Sequence, residues 1–126
     1  MSATTVLIVD DEPDVVNLLT ILLDSEGYRV LKAYDGISAV DLALHQRPDL
    51  ILLDLMMPAM SGYDVCEQLK ANPATEDIPV VCVTSAHSAH ARARCRQLGA
   101  ATLLEKPFPP MELIAQVERY LPQATG

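Results

Sequence analysis

The side chains able to do chemistry fall at four separated places in the chain. Asp10, Asp11 and Glu12 follow the apolar run Val6-Leu7-Ile8-Val9, and Asp54 follows Leu50-Ile51-Leu52-Leu53. Thr84 and Ser85 follow the stretch ending at Val83, and Lys106, itself followed by Pro107, comes just after Thr102 to Leu104. Carboxylates dominate this set. Two unit charges ~4 Å apart repel by about 4 kcal/mol at an effective dielectric near 20, so gathering the acidic pair and Asp54 calls for a compensating cation. An oxygen-only ligand set favours a hard ion, Mg²⁺ or Mn²⁺ over zinc. Mg²⁺ keeps several waters and typically takes one or two carboxylates together with a substrate phosphate. Lys is a point-charge binder of phosphate, a Thr hydroxyl can hydrogen-bond a phosphoryl oxygen, and an Asp carboxylate can accept a phosphoryl group as an acyl phosphate. Such a transfer needs mainly in-line positioning and neutralisation of the equatorial oxygens.

Those residues act together only if the fold brings them together. The chain alternates short β-rich runs with amphipathic helical stretches. Val6 to Val9, Arg29 to Ala33, Leu50 to Leu53, Pro79 to Val83 and Thr102 to Leu104 read as strands. Pro13 to Glu26 carries the stripe Val15, Leu18, Leu19 and Leu22, and Gly27 closes it. Ile37, Val40, Ala43 and Leu44 form a second helical stripe, closed by Pro48. Gly62 to Ala71 is a third helix with Val65, Cys66 and Leu69 on one side. Ser88 to Leu98 is the weakest, with only Ala91, Cys95 and Leu98 as an apolar face before Gly99, and Met111 to Leu121 turns Leu113, Ile114, Val117 and Leu121 inward. Five βα units in a row imply a parallel sheet covered on both faces. With right-handed crossovers, a doubly wound (βα)5 flavodoxin-like α/β fold of strand order 2-1-3-4-5 is expected. Ligands bind such sheets beyond the carboxyl ends of the strands at the switch point, here between the first and third strands. Each of the four chemical groups follows a different strand and so belongs to that edge.

The bulk properties agree with a modest soluble domain. The 126 residues make one domain, with a core over about residues 5 to 121. No apolar run approaches the roughly 18 residues of a membrane span, and the polar start lacks the basic and apolar regions of a signal peptide. A cytoplasmic protein is expected. The net charge of −8 argues against direct nucleic-acid binding and suits a cation site. Cys66, Cys82 and Cys95 are odd in number and lack a Cys-x-x-Cys pair, so they read as reduced, structural thiols.

At these residues the sequence resembles the receiver domains of bacterial response regulators in two-component systems, across Val6 to Leu121. The matching motifs are Val-Asp10-Asp11-Glu12, Leu-Asp54-Leu-Met56-Met-Pro58 with Gly62 following, Val-Thr84-Ser85-Ala86 and Lys106-Pro107-Phe108. Each is weak alone; all four in order, each after its own strand, are specific. The resemblance implies that Asp54 is the phosphoacceptor and Asp11 a direct metal ligand, with Asp10 holding metal waters and the Met56 backbone carbonyl as a further ligand. It implies that Thr84 and Lys106 bind the phosphoryl group and that the Lys106–Pro107 peptide is cis. The donor would be a sensor histidine kinase, a phosphotransfer protein or a small phosphodonor, and the receiver would catalyse only its own phosphorylation and dephosphorylation. An output partner would dock on the fourth helix, fifth strand and fifth helix, with phosphorylation-linked homodimerisation as an option. Only Pro122 to Gly126 follow the last helix, so no output domain is expected within these residues. The chain is then either a stand-alone regulator or the receiver of a longer protein.

Two positions depart from the family pattern. Relatives place an aromatic residue three before the lysine, where it turns inward on activation; here that residue is Leu103. The residues flanking the path of the hydrolytic water are Met56 and Ala86, neither able to orient a water by hydrogen bonding, which implies a long-lived acyl phosphate. Other readings compete. Taken singly, the acidic run could cap a helix, and Arg92, Arg94 and Arg96 read as a solvated helix face. A phosphatase of the dehalogenase type would need a second Asp where Met56 stands, and a flavin carrier would need a hydroxyl- and glycine-rich loop where the acidic run stands. A receiver acting without phosphorylation, as an interaction module, remains the alternative that Leu103 leaves open.

Overall fold

The computed structural model describes residues 4–85 and 89–121; Ala86, the expected helix start at Ser88 and the tail from Pro122 lie outside the described residues. Along the chain run β1 (Thr5–Val9), α1 (Pro13–Ser25), β2 (Arg29–Ala33), α2 (Gly36–Gln46), β3 (Leu50–Asp54), α3 (Gly62–Ala71), β4 (Val80–Thr84), α4 (Ala89–Gln97), β5 (Thr102–Glu105) and α5 (Pro110–Tyr120). The strands form one parallel sheet in the order β2-β1-β3-β4-β5. The chain therefore moves outward from β1 in one direction and then reverses, so β1 and β3 are adjacent strands whose following loops part to opposite sides.

Strand alternation divides the interior into two layers. Leu7, Val9, Ile51, Leu53, Cys82 and Leu103 face α2, α3 and α4. Val6, Ile8, Leu50, Leu52, Val81 and Leu104 face α1 and α5. The continuous apolar runs at β1, β3 and β4 follow from burial on both faces. Edge strand β2 instead exposes Arg29 and Lys32, as edges that must resist further pairing do. Asp54 and Thr84 turn out to be the last residues of their strands rather than the first residues beyond them.

Local chemistry explains the helix ends. The Asp35 side chain accepts from the Ser38 N–H at 2.7 Å, and Ser61 with Asp64 makes a capping box at the start of α3. Gly27 and Gly99 take φ of +89° and +91° after α1 and α4. The second helix ends at Gln46, as Pro48 leads one to expect, because the residue before a proline is disfavoured in the helical region; Arg47 adopts a left-handed φ of 45°.

Two helix faces differ from the sequence expectation. In α1 the buried positions are Val16, Leu19 and Leu23, with Val15 and Leu22 only half-buried and Leu18 57% exposed. The apolar residues of the segment spread over more than half of its circumference, so more than one stripe fits its pattern and only the sheet decides which one points inward. In α2 the small residues Ala39 and Ala43 lie against the sheet while Ile37 is 76% exposed. Close packing selected the small side chains over the large one.

Candidate functional site

The carboxyl edge gathers the four groups as expected. Asp10 leaves the end of β1 with its backbone N–H donating to the Ala33 carbonyl at 3.2 Å. The Leu55 N–H donates to the Val83 carbonyl at 3.1 Å, and the Lys106 N–H to the Thr84 carbonyl at 2.7 Å. Successive strand ends are thereby tied at one level. The Lys106–Pro107 peptide is cis.

Within the site, Asp10 is buried and Asp11 half-buried, while Glu12 is exposed. Carboxylate oxygens of these three lie within 4.8 Å of one another. Glu12 occupies the N-cap of α1 without a side-chain cap bond, and its N–H instead donates to Asp10 Oδ1 at 2.9 Å. Capping by the Glu12 carboxylate is thus not what holds the acidic run. Glu12 joins the cluster beyond what the motif assigned, and the only sequence signal for it was adjacency to the acidic pair. Lys106 Nζ reaches Asp10 Oδ2 at 3.2 Å, an ion pair shielded on the Asp10 side. Asp54 is buried, and its Oδ1 accepts from the Met56 N–H at 3.1 Å. Thr84 is fully buried at the adjoining strand end. The Met56 side chain is 59% exposed, so what Met56 offers inward is backbone.

Leu103 is buried and packs in the same layer as Ala91 and Cys95 of α4. Ala86, the other expected neighbour of the water path, lies outside the described residues. The arginines of α4 are exposed, as a solvated face has them, and two also make contacts: Arg92 pairs with Glu105 at 3.1 Å, and Arg94 stacks over the Tyr63 ring at 4.2 Å.

Electrostatics mark Asp54. Its pKa is raised from 3.8 to about 6, first by burial and then by the charges of Asp10 and Asp11, against the Met56 N–H and Lys106, which lower it. Four carboxylates share this edge with the Lys106 ammonium, already engaged by Asp10. The donor set is all oxygen. A hard divalent cation fits this surplus of negative charge, and Asp10, Asp11 and Asp54 are the residues that would hold it.

The raised pKa has a consequence for stability. Well below pH 3.8 Asp54 is protonated in both folded and unfolded chains and contributes nothing. As pH rises toward 6 the unfolded chain ionises first, so the folded state loses stability relative to it, and above about 6 the full penalty of about 3 kcal/mol is present. Asp54→Asn removes that penalty. In chelator-treated protein the variant is expected to be more stable than wild type at pH 7.5, by up to about 3 kcal/mol. Urea unfolding at pH 3 and 7.5 checks this: the gap between the proteins should close at pH 3.

Residues 6–118 match the family described as the response regulator receiver domain. The chain is 40% identical over 116 residues to the DNA-binding dual master transcriptional regulator RpaA of Synechocystis sp., covering 92% of this chain. It spans 48%, about half, of that relative's length. Among solved structures, the chemotaxis protein CheY4 of Vibrio cholerae superposes with a TM-score of 0.90 at 29% identity, covering 95% of this chain and all of that one. The receiver domain of sensor histidine kinase PA1611 from Pseudomonas aeruginosa PAO1, with a magnesium ion coordinated in its active-site cleft, superposes with a TM-score of 0.86 at 33% identity, covering 94% of this chain and 98% of that one. With the strand order, the acidic cluster and these matches in agreement, the chain belongs to the response regulator receiver domains of two-component signalling, whose standard function is to accept a phosphoryl group on an aspartate and signal to an output.

Proposed function

We propose that Asp54 is the phosphoacceptor and that Asp10, Asp11, Asp54 and the Met56 carbonyl bind Mg²⁺, with Mn²⁺ as a substitute. The observation that carries this reading is the carboxyl edge itself: Asp54 is buried at a strand end beside the Asp10–Asp11–Glu12 cluster and the Lys106–Asp10 ion pair, and so much buried negative charge, which also raises the Asp54 pKa, is costly unless a cation and a phosphoryl group use it. The Met56 N–H fixes Oδ1 of Asp54, and Oδ2 is assigned to attack phosphorus in line with the departing atom of the donor. As the new O–P bond forms, the bond from phosphorus to the donor's nitrogen or oxygen breaks. Lys106 swings from Asp10 to a phosphoryl oxygen and the Thr84 hydroxyl donates to another. A bound divalent cation supplies charge neutralisation for the incoming oxygens and favours the ionised form of Asp54.

Receiver domains interact with histidine kinases and output domains. For this chain we assign the donor to a sensor kinase or phosphotransfer protein, or to a small phosphodonor, in the cytoplasm. No helix among the described residues is long and apolar enough to cross a membrane. The readout is assigned to α4, β5 and α5. Leu103 already packs against α4, so the signal passes by repacking of α4 on Leu103 and not by rotation of an aromatic ring.

Intact mass after incubation with Mg²⁺ and acetyl phosphate tests the reading. Wild type should gain one phosphoryl group, and neither the Asp54→Asn variant nor chelated wild type should gain any. Failure of wild type with every donor would leave the interaction module as the better reading. Lifetime gives a second check. Because the Met56 side chain cannot orient a water, Met56→Asn should shorten the half-life of the phosphorylated protein severalfold, read by the decay of the same mass peak. An unchanged half-life would remove Met56 from the account.

A further inference from the structure

The three cysteines lie in the layer between the sheet and helices α3 and α4, away from the acidic edge, and they are not equivalent. Cys66 directs its Sγ to the Leu98 carbonyl at 3.7 Å, and burial pushes its thiol up to about 11. Cys82 of β4 and Cys95 of α4 are hydrogen-bonded to each other through their thiols. Cys95 also lines a cavity of about 80 Å³ together with Arg92, Arg96, Thr102 and Leu103. That volume admits one or two water-sized molecules of about 30 Å³ each. Buried structural thiols are ordinarily inert, because nothing favours the thiolate and nothing small reaches it. Here a second thiol donates to Cys95, the charges of Arg92 and Arg94 act on it, and the residue itself lines a small cavity.

The geometry points to Cys95 as a peroxide-reactive thiol, with Cys82 resolving its oxidation product into a disulfide between α4 and β4. The Cys82 hydrogen bond lowers the Cys95 pKa most; burial opposes this, and the charges of Arg94 and Arg92 lower it further. Cys82, as donor and buried group, keeps its proton. In the first step the Cys95 thiolate attacks one oxygen of hydrogen peroxide. The O–O bond breaks, the leaving hydroxide takes a proton as water, and sulfur is oxidised to a sulfenic acid. In the second, Cys82 sulfur attacks the sulfenyl sulfur; the S–O bond breaks, and hydroxide leaves with the Cys82 proton as a second water. The new bond clamps α4 onto β4, two residues before Thr84 and beside Leu103, so oxidation would hold the helix to which the phosphorylation readout is assigned.

Wild-type protein is treated with a small excess of hydrogen peroxide in the presence of chelator, then alkylated and digested with trypsin without reduction. Trypsin separates the cysteines, since Cys82 falls in residues 71–92 and Cys95 in residues 95–96. The expected result is an intact mass lower by two hydrogens, restored by dithiothreitol, with those two peptides joined and Cys66 alkylated. Cys82→Ala should instead leave a Cys95 sulfenic acid that dimedone traps, and Cys66→Ala should behave as wild type. Wild type alone decides the matter if a variant fails to fold. No mass loss, a link through Cys66, or overoxidation of Cys95 without a link would overturn the proposal. None of these readouts depends on phosphorylation.

Discussion

Gly62→Ala is expected to destabilise the protein by about 4 kcal/mol or more, among the largest effects of any single substitution here. A Cβ at Gly62 would stand 2.2 Å from the Asp54 carbonyl oxygen and 2.7 Å from the Leu55 Cα. Both are backbone atoms at the end of β3, where Asp54 sits, and neither can turn aside as a side-chain tip can. The Gly62 N–H donates to the Leu55 carbonyl at 3.2 Å, so the start of α3 is drawn directly onto the end of β3. The methyl must push α3 away or move Asp54, and either outcome also impairs phosphoryl uptake. Gly36→Ala makes the control. The three nearest atoms to a Cβ there belong to the Met60 side chain: Cγ and Sδ at 2.8 Å, which rotation can move, and Cβ at 2.9 Å, which moves only with a small shift of its loop and not of β3. Urea midpoints should fall steeply for Gly62→Ala and modestly for Gly36→Ala. A Gly62→Ala protein as stable as wild type would show that the contact between β3 and α3 is not tight.

Lys106→Met is expected to act on stability and on chemistry at once. Lys106 Nζ lies 3.2 Å from Asp10 Oδ2, and the Asp10 side chain is almost wholly buried. Breaking a buried pair by removing one member typically costs about 3–5 kcal/mol, because the remaining charge is stranded. Asp10 retains the Glu12 N–H, so the lower end of that range is expected at neutral pH without metal. Added Mg²⁺ should recover part of the loss, since a cation compensates the stranded carboxylate. The phosphorylation rate should stay low even at saturating Mg²⁺, by about 10²-fold or more, the usual effect of deleting one preorganised partner of transition-state charge. Thermal melts with and without Mg²⁺, beside intact-mass time courses, separate the two effects. A variant that melts lower but takes up phosphoryl at the wild-type rate would leave Lys106 a structural role only.

The predictions rest on features with different visibility in the sequence. Strand and helix order was legible because the hydrophobic period changes cleanly between apolar runs and helical stripes, and because Gly27, Pro48 and Gly99 punctuate it. The site was legible because a parallel sheet sends every strand's carboxyl end to one edge; a residue's place just after a strand then fixes its place in space. Asp10, Asp54, Thr84 and Lys106 needed no coordinates to be brought together.

Side-chain direction and close approach belonged to the tertiary structure. In α1 the apolar residues spread over more than half of the helix circumference, and only packing against β1 and α5 left Leu18 outside and Leu23 inside. The pairing of Arg92 with Glu105 and the contact of Cys82 with Cys95 join residues from separate elements, whose rotation about their own axes no local pattern records. The pKa of Asp54 is of the same kind, because burial and the charges on a neighbouring strand end raise it. The amino-acid sequence by itself determined which elements form and which edge carries the chemistry, since periodicity and strand polarity are properties of the chain. Only the folded molecule decided which atoms touch and how their charges shift, since those depend on distances between segments far apart along it.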